Sequence, residues 1–167
     1  NYLNKCYPNE EIKVAVSHDC RNFSREFAER VADIFASNGF KVFLFDSLRP
    51  TPELSFAIRE LGCKSGVMIT ASHNPKEYNG YKAYWNDGSQ VVAPHDKNII
   101  EELGAITDLS MIESGKNAGN ITHLDEKFDE LYPEKVKSLS LSADAGKQSH
   151  GMKIVYTPIH GCGYRLV

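Results

Sequence analysis

The chain has 167 residues, of which 41% are hydrophobic and 25% are charged, and its formal net charge is −3 at pH 7. This size allows one domain with its own buried core, and no apolar run approaches the roughly 20 residues that a membrane-spanning helix needs. Because lysine and arginine are scattered along the chain, its charge gives no reason to expect binding to nucleic acid or to a membrane.

The four cysteines are far apart in the sequence and form no Cys-x-x-Cys pair of the kind that indicates zinc or a redox dithiol. They are Cys6, Cys20, Cys63 and Cys162. The N-terminal region also lacks a basic stretch followed by an apolar core, which a secretory signal would have. We therefore expect reduced thiols and a cytoplasmic protein.

Strand and helix patterns alternate in the first half of the chain. Residues 12–17, 40–45 and 66–70 are apolar runs that predict strands. Ser24 is a candidate N-cap for the first intervening helix, and Thr51 is a candidate cap for the second, with proline at its first helical position. This alternation predicts an α/β fold with three layers: a mixed, mostly parallel sheet with helices on both faces.

The pattern changes after the third predicted strand. Asn79-Gly80 is typical of a tight turn, which would bring a strand over residues 81–85 back beside the third strand. A helix is predicted over residues 95–103, and the polar, aperiodic residues 105–120 predict a surface connector.

The C-terminal part contains two further predicted elements. Helical spacing returns over residues 128–139, where Pro133 should kink the helix or begin a second one. Residues 140–151 have the composition of a linker, and the apolar residues 152–157 predict one more strand.

A serine follows the third predicted strand, in Thr70-Ala71-Ser72-His73-Asn74-Pro75. Pro75 disfavours a helical conformation at Asn74, so the loop presents the Ser72 hydroxyl instead of winding into a helix. The carboxyl ends of strands are also where open α/β sheets bind ligands. Ser72 is therefore a candidate nucleophile.

This six-residue run closely resembles the active-serine signature of the α-D-phosphohexomutases. Looser similarities precede and follow it, at residues 14–21, 49–54 and 78–82. Residues 84–90 resemble the branch of glucose-type phosphoglucomutases and phosphopentomutases, although we expect Trp85 to be a packing residue. The resemblance implies that Ser72 carries a phosphate that moves between C1 and C6 (or C5) of a sugar through a sugar bisphosphate.

The resemblance also implies a larger assembly. Residues 1–145 would form domain I with the active serine loop, and residues 146–167 a linker and the first strand of a truncated domain II. We expect domains II to IV of the same protein to be missing from this piece, which alone would be inactive. In the family Mg²⁺ is held by the serine phosphate, here on Ser72, and by aspartates of domain II, and the substrate is a phosphosugar.

Lys82 and His73 are further candidate catalytic residues. The predicted turn would bring Lys82 back beside Ser72, where an ammonium group could neutralise phosphate or transfer a proton. His73 could contact substrate directly as an acid, a base or a phosphate ligand, or it could cap the loop by hydrogen bonds. Neither alternative for His73 is favoured by the sequence.

Three residues are candidates for phosphate binding or loop support. Asp19 and Arg21 follow the first predicted strand, at the same edge as Ser72. Arg21 could orient phosphate or pair with Asp19 to brace the loop, and we expect bracing because the family's Arg-Asp-x-Arg pattern has His18 in first place here. Asn74 is expected to stabilise the loop by local hydrogen bonds.

Two other functions remain open. The chain could be a non-catalytic phosphate-binding or phosphosugar-binding module whose serine is never modified. A serine hydrolase is a weaker alternative, because Ala71-Ser72-His73 does not match the Gly-x-Ser-x-Gly elbow on which that class often places its nucleophile.

Overall fold

The computed structural model describes residues 1–142 and 144–166. It contains one five-stranded sheet with the strand order β4-β3-β1-β2-β5. The strands are β1 Lys13–His18, β2 Lys41–Phe45, β3 Ser65–Ile69, β4 Tyr81–Trp85 and β5 Ile121–Leu124. Strands β3, β1, β2 and β5 run parallel, and β4 is antiparallel to β3. The predicted mixed, mostly parallel sheet is confirmed.

Helices cover both faces of this sheet. They are α1 Tyr2–Cys6, α2 Ser24–Ser37, α3 Thr51–Glu60, α4 His95–Gly104, α5 Glu126–Asp129, α6 Leu131–Ser138 and α7 Ala145–Gln148. Within β1, Val14 and Val16 face α2, whereas Ala15 faces α3. These side chains alternate because successive residues of a strand point to opposite faces of the sheet. The three-layer α/β architecture is therefore confirmed.

Two helix starts differ from their prediction. Ser24 is the first helical residue of α2, and Phe23, in a left-handed conformation with φ of 60°, occupies the N-cap position. Thr51 is likewise the first residue of α3, after Pro50. The Ser24 hydroxyl does not cap α2 because it is buried and bound to other parts of the chain.

The predicted tight turn at Asn79-Gly80 is also wrong. β3 and β4 are joined by a longer loop, whose turns lie at residues 72–73 and 76–77. Asn79 does not turn the chain because its side chain is fixed by contacts with Asn22 and Ser24. The reversal after β4 is present, with Gly88 in a positive-φ conformation, and Trp85 packs against His95 as a structural residue.

The C-terminal region departs furthest from the prediction. The predicted connector contains two short 3₁₀ helices, Leu109–Met111 and Ala118–Asn120, and is followed by β5, which the sequence did not indicate. Pro133 lies in the first turn of α6, as expected for a proline that begins a second helix. A short helix, α7, forms within the predicted linker.

The strand predicted over residues 152–157 is not formed, because these residues pair with no strand in the described part of the chain. Ala143, within the predicted linker, and Val167, which ends the 146–167 segment, lie outside the described residues. No helix among the described residues has the length and apolar character to cross a membrane.

Candidate active site

The candidate nucleophile lies in a closed loop at the carboxyl end of β3, which we call the serine loop (residues 70–80). The Thr70 N–H donates to the Gly80 carbonyl at 3.0 Å and ties the two ends of the loop together. The approach is so close that a Cβ on Gly80 would lie 2.7 Å from the Thr70 carbonyl oxygen. Glycine is therefore required at position 80 if the loop is to close in this way.

Ser72 is exposed and adopts a left-handed backbone conformation, with φ of 57°. Its N–H donates to the Thr70 Oγ1 at 3.1 Å. A non-glycine residue in this conformation is strained, and it persists only when its surroundings hold it there. The serine hydroxyl is thus presented outward by a loop that is fixed from within.

Lys82 lies directly beside the serine hydroxyl. It is on β4, opposite Met68 of β3, and its Nζ donates to the Ser72 Oγ at 2.6 Å. The antiparallel pairing of β4 with β3, instead of the expected tight turn, brings the ammonium group to the nucleophile. A phosphate on Ser72 would therefore meet a positive charge at contact distance.

Arg21 holds the other side of the loop. Its guanidinium donates to the carbonyls of Asn74 and Pro75, each at 2.6 Å, and to the Ser72 carbonyl. Its Nε donates to Asp19 at 3.0 Å, and the arginine side chain is only 8% exposed. These are the contacts of a residue that braces the loop, since its donors are directed at main-chain oxygens.

A second layer of polar contacts fixes Asp19. The Ser24 hydroxyl lies 2.7 Å from an Asp19 carboxylate oxygen and 2.9 Å from the Asn79 side-chain oxygen. Asn79 in turn donates its amide to the Asn22 carbonyl. One hydroxyl proton can be donated to only one acceptor at a time, and the charged Asp19 is the stronger one. The network links the loop after β1 to both ends of the serine loop.

Unlike Lys82, the side chains of His73 and Asn74 make no hydrogen bond to the Ser72 hydroxyl. The His73 side chain is exposed and makes no hydrogen bond to any described residue, so it does not cap the loop. Asn74 stabilises the loop through its backbone, because its N–H donates to the Ala71 carbonyl and its own carbonyl accepts from Arg21. The expected local hydrogen bonds are present, but they are made by the main chain.

His18, which replaces the first arginine of the family pattern, is buried. Its Nδ1 lies 2.8 Å from the Asp19 carbonyl, so Nδ1 carries the proton and Nε2, which has no partner among the described residues, does not. Burial lowers the pKa of His18 and keeps the ring neutral. His18 is therefore a buried, neutral residue at the position where the family pattern has a charged arginine.

The site favours an anion and gives a cation little to bind. Lys82 and Arg21 both contact Ser72, whereas the carboxylate of Asp19 is occupied by Arg21 and Ser24. Among residues 1–142 and 144–166 there is no group of three or more His, Cys, Asp or Glu side chains that could hold a metal ion. The described residues therefore do not form a metal site by themselves.

Ser24, Thr70 and Asn79 belong to the site but were not among the predicted site residues. Ser24 and Asn79 are connected to each other, and Asn79 to Asn22, across more than fifty residues, so local spacing could not have identified these contacts, whereas Thr70 bonds Ser72 only two residues away. The one available signal was that Ser24 and Asn79 are polar residues flanking the predicted site residues.

Comparisons with known proteins identify the family of this domain. Residues 1–109 match the family described as phosphoglucomutase/phosphomannomutase, alpha/beta/alpha domain I. A phosphoglucomutase from Staphylococcus saprophyticus is 37% identical over 171 residues, which cover 99% of this chain and 30% of the relative. The human phosphopentomutase is 34% identical over 180 residues, covering 99% of this chain and 29% of the relative.

The similarity extends to solved structures. A crystal structure from Thermus thermophilus, assigned as a phosphomannomutase, superposes with a TM-score of 0.68 at 35% identity, over 81% of this chain and 29% of the other. The chain thus spans under a third of the length of the relatives that it matches.

Proposed function

The chain belongs to the phosphoglucomutase/phosphomannomutase family, and from this membership we propose that it is the serine-bearing domain of a phosphosugar mutase. In this proposal Ser72 accepts a phosphoryl group from a sugar bisphosphate and returns it to another carbon of the sugar. The observation that carries the proposal is the 2.6 Å contact between the Lys82 Nζ and the Ser72 Oγ in an exposed, braced loop.

Two requirements of phosphoryl transfer fit this arrangement. When the serine oxygen bonds to phosphorus, the bond from phosphorus to the sugar oxygen breaks and the serine proton must leave. The serine proton passes to the departing sugar oxygen, while Lys82, whose ammonium group donates to the serine oxygen, offsets the charge of the phosphate that remains on Ser72. Arg21 acts through the loop, which it holds in the conformation that presents the hydroxyl.

The cofactor of this proposal is Mg²⁺, which would stabilise the negative charge of the phosphoryl group during transfer. From the described residues only the phosphate on Ser72 would serve as its ligand, and the other ligands would come from a second domain. Asp19 does not fit this role because its carboxylate is bound to Arg21 and Ser24.

We also propose that residues 1–145 are domain I and that residues 146–167 lead into domain II, with domains II to IV completing a cleft for a phosphosugar. The exposed apolar side chains of Met152, Ile154 and Val155 support this boundary, because nothing in the described part of the chain covers them. The four free thiols support a cytoplasmic location.

The full-length protein, incubated with glucose 1,6-bisphosphate and then weighed intact by mass spectrometry, tests the role of Ser72. We expect one retained phosphate that maps to Ser72, and none in the Ser72→Ala variant. Ser89→Ala, which removes another exposed loop hydroxyl, is the matched control and should retain the phosphate. A native protein that takes up no phosphate would indicate a binding module instead of a mutase.

Lys82→Met tests the second catalytic residue in the same assay. We expect much slower phosphate uptake with little change in the free energy of unfolding, because Lys82 contacts the nucleophile. Lys76→Met, in the same loop but exposed, is the control. Equal losses of uptake and stability in Lys82→Met would count against a catalytic role.

A further inference from the structure

Two of the four cysteines, which the sequence separates widely, meet beside the candidate active site. Cys20 is exposed and its thiol donates to the carbonyl of His160. Cys162 lies two residues after His160, at the start of a 3₁₀ helix, and burial together with the nearby Cys20 side chain raises the pKa of its partly buried thiol. The 2.7 Å contact of the Cys20 thiol with the His160 carbonyl therefore places Cys20 against the short segment that carries Cys162.

The location of this pair connects it to the serine loop. Cys20 stands between Asp19 and Arg21, the residues whose ion pair braces the loop. Cys162 belongs to the C-terminal segment, which also contacts the domain through an ion pair between Arg165 and Glu126. A disulfide bond between the two cysteines would attach the C-terminal segment to Cys20. The residues on either side of Cys20 form the ion pair that braces the serine loop.

We propose that Cys20 and Cys162 are a modification site that forms a reversible disulfide bond with a small-molecule disulfide such as glutathione disulfide as oxidant, and that this bond slows phosphate uptake by Ser72. The formation of the disulfide rests on the contact between Cys20 and the segment that carries Cys162, and it does not depend on the proposed function. Its effect on uptake rests on the proposed function, so the two are measured separately.

The reaction balances with one oxidant molecule. The Cys20 thiol loses its proton and attacks one sulfur of glutathione disulfide, which forms a mixed disulfide and expels one glutathione. Cys162 then loses its proton and attacks the Cys20 sulfur, which forms the protein disulfide and expels a second glutathione. Two protein thiols are oxidised, one disulfide is reduced, and the two protons are taken up by the two glutathione molecules.

The environments of the two thiols set this order. Cys20 is exposed and so meets the oxidant first. Burial raises the pKa of Cys162 to about 11, so its thiol seldom ionises and acts second, on a sulfur that is already beside it. Transient disulfides of this kind are the ones found in a reducing compartment, where their role is regulatory.

Peptide mapping of the full-length protein without reduction tests whether the bond forms. After incubation with glutathione disulfide, we expect a peptide pair joined through Cys20 and Cys162, which dithiothreitol releases. Cys162→Ser should instead hold glutathione on Cys20, and Cys6→Ser, the matched control, should still form the linked pair. Two unlinked thiols, or a glutathione that stays on Cys20 in the native protein, would overturn the proposal.

The rate of phosphate uptake from glucose 1,6-bisphosphate, compared before and after oxidation, tests the consequence. We expect a loss of up to about 100-fold, which a displacement of about 1 Å can cost a positioned group, and full recovery with dithiothreitol. Cys20→Ser should show no difference between the two conditions. Equal rates in the reduced and the linked native protein would refute control of the site, whereas no uptake in either would refute the proposed function.

Discussion

Arg21→Lys is the most informative single change, because it keeps a positive charge beside Asp19 and removes the guanidinium fork. Lysine has one nitrogen and cannot reach Asp19 and several loop carbonyls together. We expect the serine loop to open more often while the rest of the domain keeps its stability. Phosphate uptake by Ser72 should fall with the population of the closed loop.

The size of the effect follows from the bonds that are lost. Arg21 donates to the carbonyls of Ser72, Asn74 and Pro75 as well as to Asp19. A hydrogen bond contributes about 0.5 to 1.5 kcal/mol net, because water replaces the lost partner of an exposed carbonyl. Losing three such bonds should cost the closed loop about 1.5 to 4.5 kcal/mol.

Hydrogen exchange of individual backbone amides measures this opening. The N–H groups of Asn74 and Tyr78 are hydrogen-bonded within the loop, and their exchange should accelerate by about 10-fold or more, since about 1.4 kcal/mol is a factor of ten. Arg25→Lys is the control, because Arg25 pairs with Glu29 on the exposed face of α2. Unchanged loop exchange, or an equal acceleration throughout the sheet, would refute the bracing role.

Two other changes test features of the fold. Burial raises the pKa of Glu53 to about 8, so the folded protein keeps a proton that the unfolded chain releases above its ordinary pKa, and stability falls as pH rises through that interval. In urea unfolding, the free energy of unfolding of Glu53→Gln should therefore rise relative to that of the native protein by up to about 3 kcal/mol between pH 5 and pH 7. The control variant Glu60→Gln, at an exposed position, should have the same pH dependence as the native protein. The same pH dependence in Glu53→Gln and the native protein would contradict this prediction. Gly80→Ala would place a Cβ 2.7 Å from the Thr70 carbonyl oxygen and should cost about 1 to 3 kcal/mol in unfolding free energy. A fully stable Gly80→Ala variant would show that the loop closes in another way.

Apolar periodicity predicted the elements that are buried. β1 and β3 were found from their sequence patterns because the helices on the two faces of the sheet bury the same apolar residues that the patterns mark, whereas Phe27, an apolar residue of the α2 pattern, is 48% exposed. β5 was missed because it is a four-residue strand with two exposed polar side chains. Its pairing with β2 determines its structure, and that pairing is not visible in its own sequence.

At residues 152–157, by contrast, a strand was predicted that does not form. Their apolar composition is that of a strand, yet a strand forms only where another strand offers hydrogen bonds, and none does so in the described part of the chain. The turn at Asn79-Gly80 failed for a related reason. The local turn preference of Asn-Gly competes here with the hydrogen bond from the Asn79 amide to the Asn22 carbonyl and with the bond between Thr70 and Gly80 that closes the loop.

Lys82 and Arg21, the two basic residues that contact Ser72, have different roles. Asp19 offsets the charge of Arg21, and the donors of that arginine are directed at loop carbonyls, so little of its field or hydrogen-bonding capacity is left for a phosphate. Lys82 contacts the serine oxygen itself. We infer that Lys82 supplies the positive charge that a phosphate on Ser72 meets, while Arg21 maintains the strained conformation that aims the hydroxyl at its substrate. Because the two roles use different atoms, loss of Lys82 should slow transfer in a closed loop, and loss of Arg21 should leave transfer intact whenever the loop is closed.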